Sequence, residues 1–116
     1  MTATPTKTEI LPLPVKIEMW VMDLIDALEA DYNRSYPNSS DPVTFRSEGG
    51  RKYWKIIHND GGVHAFIDKK TGEVYKPASW RSPAKIVRYD LRLISDRAKL
   101  HDPNFTDWAG GYLYLR

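Results

Sequence analysis

The sequence predicts an α+β domain in which one long N-terminal helix packs on an antiparallel sheet of four or five strands. Three observations carry this expectation. Apolar residues recur at helical spacing early in the chain, at Ile17, Val21, Leu24 and Leu28. Three segments rich in β-formers then follow one another, separated by tight glycine-containing turns. The chain has 116 residues, which fits one domain.

Residues 1–14 read as an extended, proline-rich arm, and residues 15–116 as the single domain. Leu11-Pro12-Leu13-Pro14 favours polyproline II, because each proline fixes its own φ and restricts its predecessor. The helix is expected over 15–33, with Pro14 where a helix can begin. Trp20 and Ile25 widen its apolar stripe, and Lys16, Asp23, Asp26 and Glu29 mark its wet side. Asn38 to Pro42 is a loop by composition.

Val43 to Phe45 reads as a short strand before a turn at Gly49-Gly50. Lys52 to His58, Val63 to Ile67 and Val74 to Lys76 form a three-stranded meander. Asn59-Asp60-Gly61-Gly62 supplies its first turn, and Asp68 to Glu73 the second, with Gly72 left-handed. Pro77 to Ala84 breaks the sheet, and Ser82-Pro83 is placed to open a short helix. Residues 87–100 carry two patterns. Val87, Tyr89, Leu91 and Leu93 alternate like a strand, whereas Leu91, Ile94 and Ala98 fit a helix, which we favour over 91–100. Trp108 to Leu115 reads as a final strand.

Hairpin register extends the reading. With His58 opposite Val63, Ile56 faces Ala65 and Trp54 faces Ile67; across the second turn, Ile67 faces Val74 and Phe66 faces Tyr75. Side chains alternate between faces with period two. One face then holds Trp54, Ile56, Val63, Ala65, Ile67 and Val74, and is the expected core against the helix. The other holds Tyr53, Lys55, Ile57, His64, Phe66 and Tyr75. It is too aromatic to stand bare in water, so it requires a cover: the arm, a second chain or a ligand.

The chemistry is narrower. There is no cysteine, which excludes disulfides and thiol catalysis. The register sends His58 and His64 to opposite faces, and no histidine pair has metal-binding spacing, so no metal and no cofactor are expected. No Gly-x-Ser-x-Gly elbow or phosphate-binding glycine loop occurs, and the chain is not read as an enzyme. No apolar run is long enough to cross a bilayer and the N-terminus lacks a secretory pattern, which points away from membranes and toward the cytoplasm of the host cell.

The net charge of +2 hides an asymmetry. Residues 1–50 hold four Lys/Arg and eight Asp/Glu, a balance of −4; residues 51–116 hold thirteen and seven, a balance of +6. Between Lys69 and Arg92, the cations Lys69, Lys70, Lys76, Arg81, Lys85, Arg88 and Arg92 interleave with Tyr75, Trp80 and Tyr89. Cations on phosphates and rings under bases is how single strands are held. The candidate binding residues are therefore Tyr53, Lys55, His64, Phe66, Tyr75, Lys76, Trp80 and Arg81. Two readings compete: a face for single-stranded nucleic acid, or an interface for a homodimer or for another protein.

Val63-His64-Ala65-Phe66-Ile67-Asp68-Lys69-Lys70-Thr71-Gly72-Glu73-Val74-Tyr75-Lys76-Pro77-Ala78-Ser79-Trp80, then Pro83-Ala84-Lys85 and Arg88-Tyr89, and the closing Asp107 to Tyr114 resemble small hypothetical proteins of tailed bacteriophages, especially marine cyanophages. The likeness covers about the last half of the chain. It implies a viral or marine-metagenome origin, makes a phage or host protein the partner in the interface reading, and brings no catalytic residues with it.

Overall fold

Helix α1 (Leu13–Ser35) starts two residues before the predicted boundary. The computed structural model describes residues 11–114. The carbonyl of Pro12 accepts from the amides of Val15 and Lys16, both at 3.1 Å. Pro14 falls in the first turn, where a missing N–H breaks no helical bond. Most of the predicted arm lies outside the described residues, and Leu13 and Pro14 at its end are already helical. The expected stripe of Ile17, Val21, Leu24, Ile25 and Leu28 is buried, and Ala27 and Tyr32 join it.

Five strands follow: β1 (Phe45–Gly49), β2 (Tyr53–His58), β3 (Val63–Asp68), β4 (Glu73–Tyr75) and β5 (Tyr89–Asp90). They form one antiparallel sheet in the order β1-β2-β3-β4-β5, so each strand pairs with its neighbour in the chain. The α+β architecture is as expected. β1 begins where Val43 to Phe45 was to end, and the Phe45 amide donates to the Glu29 carboxylate of α1 at 2.9 Å. That bond ties the start of the sheet to the helix.

The two patterns within 87–100 both form, one after the other: β5, then a short helix α2 (Ile94–Leu100). Ser82-Pro83 opens no helix. Pro77 and Pro83 instead bridge, and the Ser79 hydroxyl accepts from the amides of Arg81 and Ser82, both at 3.2 Å, closing a loop. Nor does Trp108 onward form a strand. The Asp107 carboxylate accepts from the amides of Ala109 (2.8 Å) and Gly111 (3.2 Å), and Gly110 turns left-handed at φ +89°. Side-chain capping by aspartate offers the backbone an alternative to a ladder. The chain therefore coils into a 3₁₀ turn over Gly111–Leu113.

The second-turn register and the Ile56–Ala65 and Trp54–Ile67 pairs hold as read. The pairing of His58 with Val63 does not: Ile57 faces Val63. One step along β2 matches two along β3, a β-bulge whose extra residue is His64. The alternation therefore slips. Val63 moves to the second face opposite Ile57, and His64 turns toward the helix side, its ring 5.2 Å from that of Phe45.

The core unites Ile17, Val21, Leu24 and Leu28 of α1 with Ile56, Ala65, Ile67 and Val74 of the sheet, and Trp54 packs half-buried against it. Leu91, Leu100, Tyr112 and Leu113 close the far end. The turn after β3 packs closely against Ile17 of the helix. The Asp68 carboxylate accepts from the amides of Lys70 (2.8 Å) and Thr71 (3.0 Å), and Gly72 adopts φ +76°. A Cβ on Gly72 would meet Leu91 at 3.3 Å and Ile17 at 3.4 Å, whereas one on Gly61, at φ +94°, would meet nothing within 4 Å. Both positions resist a side chain through backbone conformation, but only Gly72 adds a packing conflict. We expect Gly61→Ala to destabilise by about 1 kcal/mol and Gly72→Ala by at least about twice that. Urea midpoints at constant slope measure both, and equal losses would show that the crowding at Gly72 carries no energy.

Candidate functional site

Of the eight predicted binding residues, Tyr53, Lys55, Phe66 and Tyr75 stay on the second sheet face, and the loop after β4 brings Trp80 and Arg81 beside Lys55. Phe66, however, is only 2% exposed and so offers no ring to a ligand. Its cover is intramolecular. The Tyr53 ring abuts it edge-on at 5.9 Å, and the Lys55 ammonium lies 5.7 Å from its centre. Ile57 is also fully buried, apart from the main core cluster. The loop after β4 lays Trp80 over this layer, where the Lys55 ammonium sits 4.3 Å from the indole. Trp80 remains 46% exposed, and Tyr53 and Tyr75 meet edge-on at 6.0 Å, half-buried.

A shallow groove of about 190 Å³ runs beside these rings. Arg51, Lys52, Lys55 and Arg81 line it together with Glu48. Among the described residues, none of these four cations forms an ion pair; Glu48 pairs with Arg46 at 3.9 Å. Arg51 and Lys52 were missed in the sequence, although they directly precede Tyr53 and the turn at Gly49-Gly50 folds them onto the same groove.

The basic run from Lys69 to Arg92 does not form one patch. Arg88 donates to the carbonyls of Leu113 (2.7 Å) and Ile86 (2.6 Å), fastening the C-terminal turn to the sheet. Arg92 pairs with Asp90 at 2.7 Å, and Lys69 covers Trp54 at 4.4 Å. These three serve the fold.

His64 leaves the predicted face, and Lys76, a candidate from the basic run after β3, lies with it away from the groove. They line a cavity of about 450 Å³ between the β2–β3 turn and the C-terminal segment, together with His58, Trp108 and Tyr114. The two histidines were expected on opposite faces; the bulge at His64 brings both onto this cavity, and each ring lies 5.2 Å from Phe45. Among the described residues, no group of three or more histidine or acidic side chains could hold a metal.

His64 is the best-defined polar group here. Its Nε2 lies 2.7 Å from the Tyr112 hydroxyl. Tyr112 is buried, which pushes its phenol well above the usual range, so the hydroxyl keeps its proton. His64 Nε2 is the one hydrogen-bond partner of that hydroxyl among the described residues, and no buried polar side-chain atom there is left unpaired. Tyr112 therefore donates to Nε2, and the ring proton of neutral His64 sits on Nδ1. Burial, reinforced by the nearby His58, lowers the His64 pKa to about 4. His58 itself sits 2.9 Å from the Asp60 carboxylate. The Gly62 amide donates to Asp60 at 2.8 Å and holds its carboxyl below the usual range.

A model of a family of unknown function, DUF7717, matches residues 4–115. The chain belongs to this family. No curated protein and no solved structure matches the chain. The family brings no activity with it, so function must be argued from the geometry. No helix among the described residues is long and apolar enough to cross a membrane.

The buried histidine makes stability depend on pH. The unfolded chain takes up a proton at His64 near pH 6.5, whereas the folded chain resists until about pH 4. The contribution is thus fully present above the unfolded value and is lost as pH falls toward the folded one. Between pH 7 and pH 5 this amounts to roughly 2 kcal/mol. Denaturant titrations of wild type and His64→Gln at both pH values should show that difference in wild type and much less in the variant. An identical pH dependence in the two proteins would mean that His64 titrates normally in the fold.

Proposed function

We propose that the second sheet face binds single-stranded nucleic acid, weakly and with little sequence preference. The observation that carries this reading is the groove lined by Arg51, Lys52, Lys55 and Arg81, four cations without carboxylate partners, beside the exposed indole of Trp80. Free cations beside stacking rings track a backbone and hold bases without reading them. An accessory protein of a tailed phage, as the C-terminal resemblance implies, has use for such a surface.

The rival reading uses the same face as a dimer or partner interface. Interface centres are depleted in charge. Here Lys55 lies against the Phe66 and Trp80 rings and three more cations line the same groove, which favours the nucleic-acid reading.

Fluorescence anisotropy with a labelled oligonucleotide tests the proposal. If four phosphates are neutralised, affinity should fall roughly 50-fold between 50 and 200 mM salt. Trp80→Ala should weaken binding by about 1–3 kcal/mol and leave the fold intact. Phe66→Ala should act on stability instead, by roughly 3–5 kcal/mol, because its ring is buried. Absence of binding at ~50 mM salt with tens of micromolar protein would overturn the proposal. Self-association of the same sample in sedimentation would then favour the interface.

A further inference from the structure

We infer that the cavity between the β2–β3 turn and the C-terminal segment is a second binding site, for a small molecule with a flat ring and an acidic head, of the nucleoside monophosphate class. Its volume, about 450 Å³, falls in the range of small-molecule sites. The site is distinct from the groove at Arg51 and Arg81, and the inference does not depend on strand binding there.

Three features define the occupant. The first is His64, whose side chain is more than nine-tenths buried. Its Nε2 is committed to Tyr112, and its Nδ1–H has no acceptor among the described residues. As no buried polar atom is orphaned, Nδ1 opens into the cavity. Gly110, next to the imidazole edge, has no side chain to cover it. A neutral, oriented N–H in the cavity wall selects an acceptor, such as a ring nitrogen or carbonyl.

The second is Lys76, whose ammonium lies 4.8 Å from the Tyr114 ring and has no ion-pair partner among the described residues. It suits an anionic head. The one acidic residue at the cavity, Asp60, is committed to the Gly62 amide and to His58.

The third is the flat wall. The Trp108 amide donates to Asp31 of α1 at 3.1 Å, and its ring is held edge-on by Tyr32 at 5.1 Å. His58 lies tilted against it at 6.3 Å. A wall fixed in this way receives a planar ring without having to be ordered by it.

Isothermal titration calorimetry with AMP, GMP, CMP and UMP tests the site, with the parent nucleosides and inorganic phosphate as separate arms. At least one nucleotide should bind with Kd below about 1 mM, and its nucleoside and phosphate alone should each be about tenfold weaker or more. Lys76→Gln should weaken the nucleotide by about tenfold and leave the nucleoside unchanged. Ala109 is exposed at the cavity mouth, so Ala109→Trp should fill the cavity and abolish binding without moving the melting temperature. Trp80→Ala should leave mononucleotide binding intact, which separates a free nucleotide in this cavity from a strand on the sheet face. No binding at about 5 mM nucleotide, or binding that neither Lys76→Gln nor Ala109→Trp alters, would overturn the inference.

Discussion

In β3, Val63 and His64 together oppose Ile57, and that surplus residue decides what each side of the sheet can do. Beyond the bulge, Ala65 and Ile67 keep their places against α1. At the bulge, the imidazole turns to the helix side and meets Tyr112. Tyr112 in turn anchors the C-terminal coil, whose carbonyls accept from Tyr89 (2.7 Å, at Tyr112) and Arg88 (2.7 Å, at Leu113). Without the extra residue, strict alternation would aim His64 at the loop carrying Trp80. The Tyr112 hydroxyl would then be buried without a partner, an arrangement that folded proteins avoid.

The groove on the second face and the cavity at the hairpin end both take their lining from this one irregularity. The second face keeps its rings and the cations of the β1–β2 turn, while the polar group that would have interrupted it is withdrawn. At the hairpin end, two histidines, a lysine and the aromatic wall of the C-terminal segment enclose a cavity. Arg88 and Arg92, with structural work, bind carbonyls or a neighbouring carboxylate, whereas Arg51, Lys52, Lys55 and Arg81 line the groove without an ion pair among the described residues.

The parts legible in the sequence are those governed by a single local period. The stripe of α1 was readable because Ile17, Val21, Leu24 and Leu28 all answer to one turn of helix. The meander was readable because Asp-Gly and Thr-Gly turns leave few alternatives. The parts that were not legible depend on contacts far away in the chain. A bulge changes the count of residues without changing their type, so period-two reasoning passes straight through Val63 and His64. Trp108 to Tyr114 has a strand's composition, but Asp107 and Gly110 supply turn chemistry that outweighs propensity. The grouping of the candidate residues was only partly legible for a related reason. Tyr53, Lys55, Tyr75, Trp80 and Arg81 share a face, whereas charge counting could not tell that Arg88 and Arg92 are bonded within the fold or that Arg51 and Lys52 fold back onto the groove.

The meander also leaves the sheet with two free ends, β1 and β5, and each is poorly suited to further growth. β5 has only two residues, too few to template a partner strand. On β1, Arg46 and Glu48 are exposed and ion-paired, and Gly49-Gly50 ends the run. Charges and brevity at sheet edges are what keep open sheets from joining end to end. Copies of this chain can therefore crowd together without their sheets fusing into a continuous ribbon, and that resistance is built into the outline of the sheet itself.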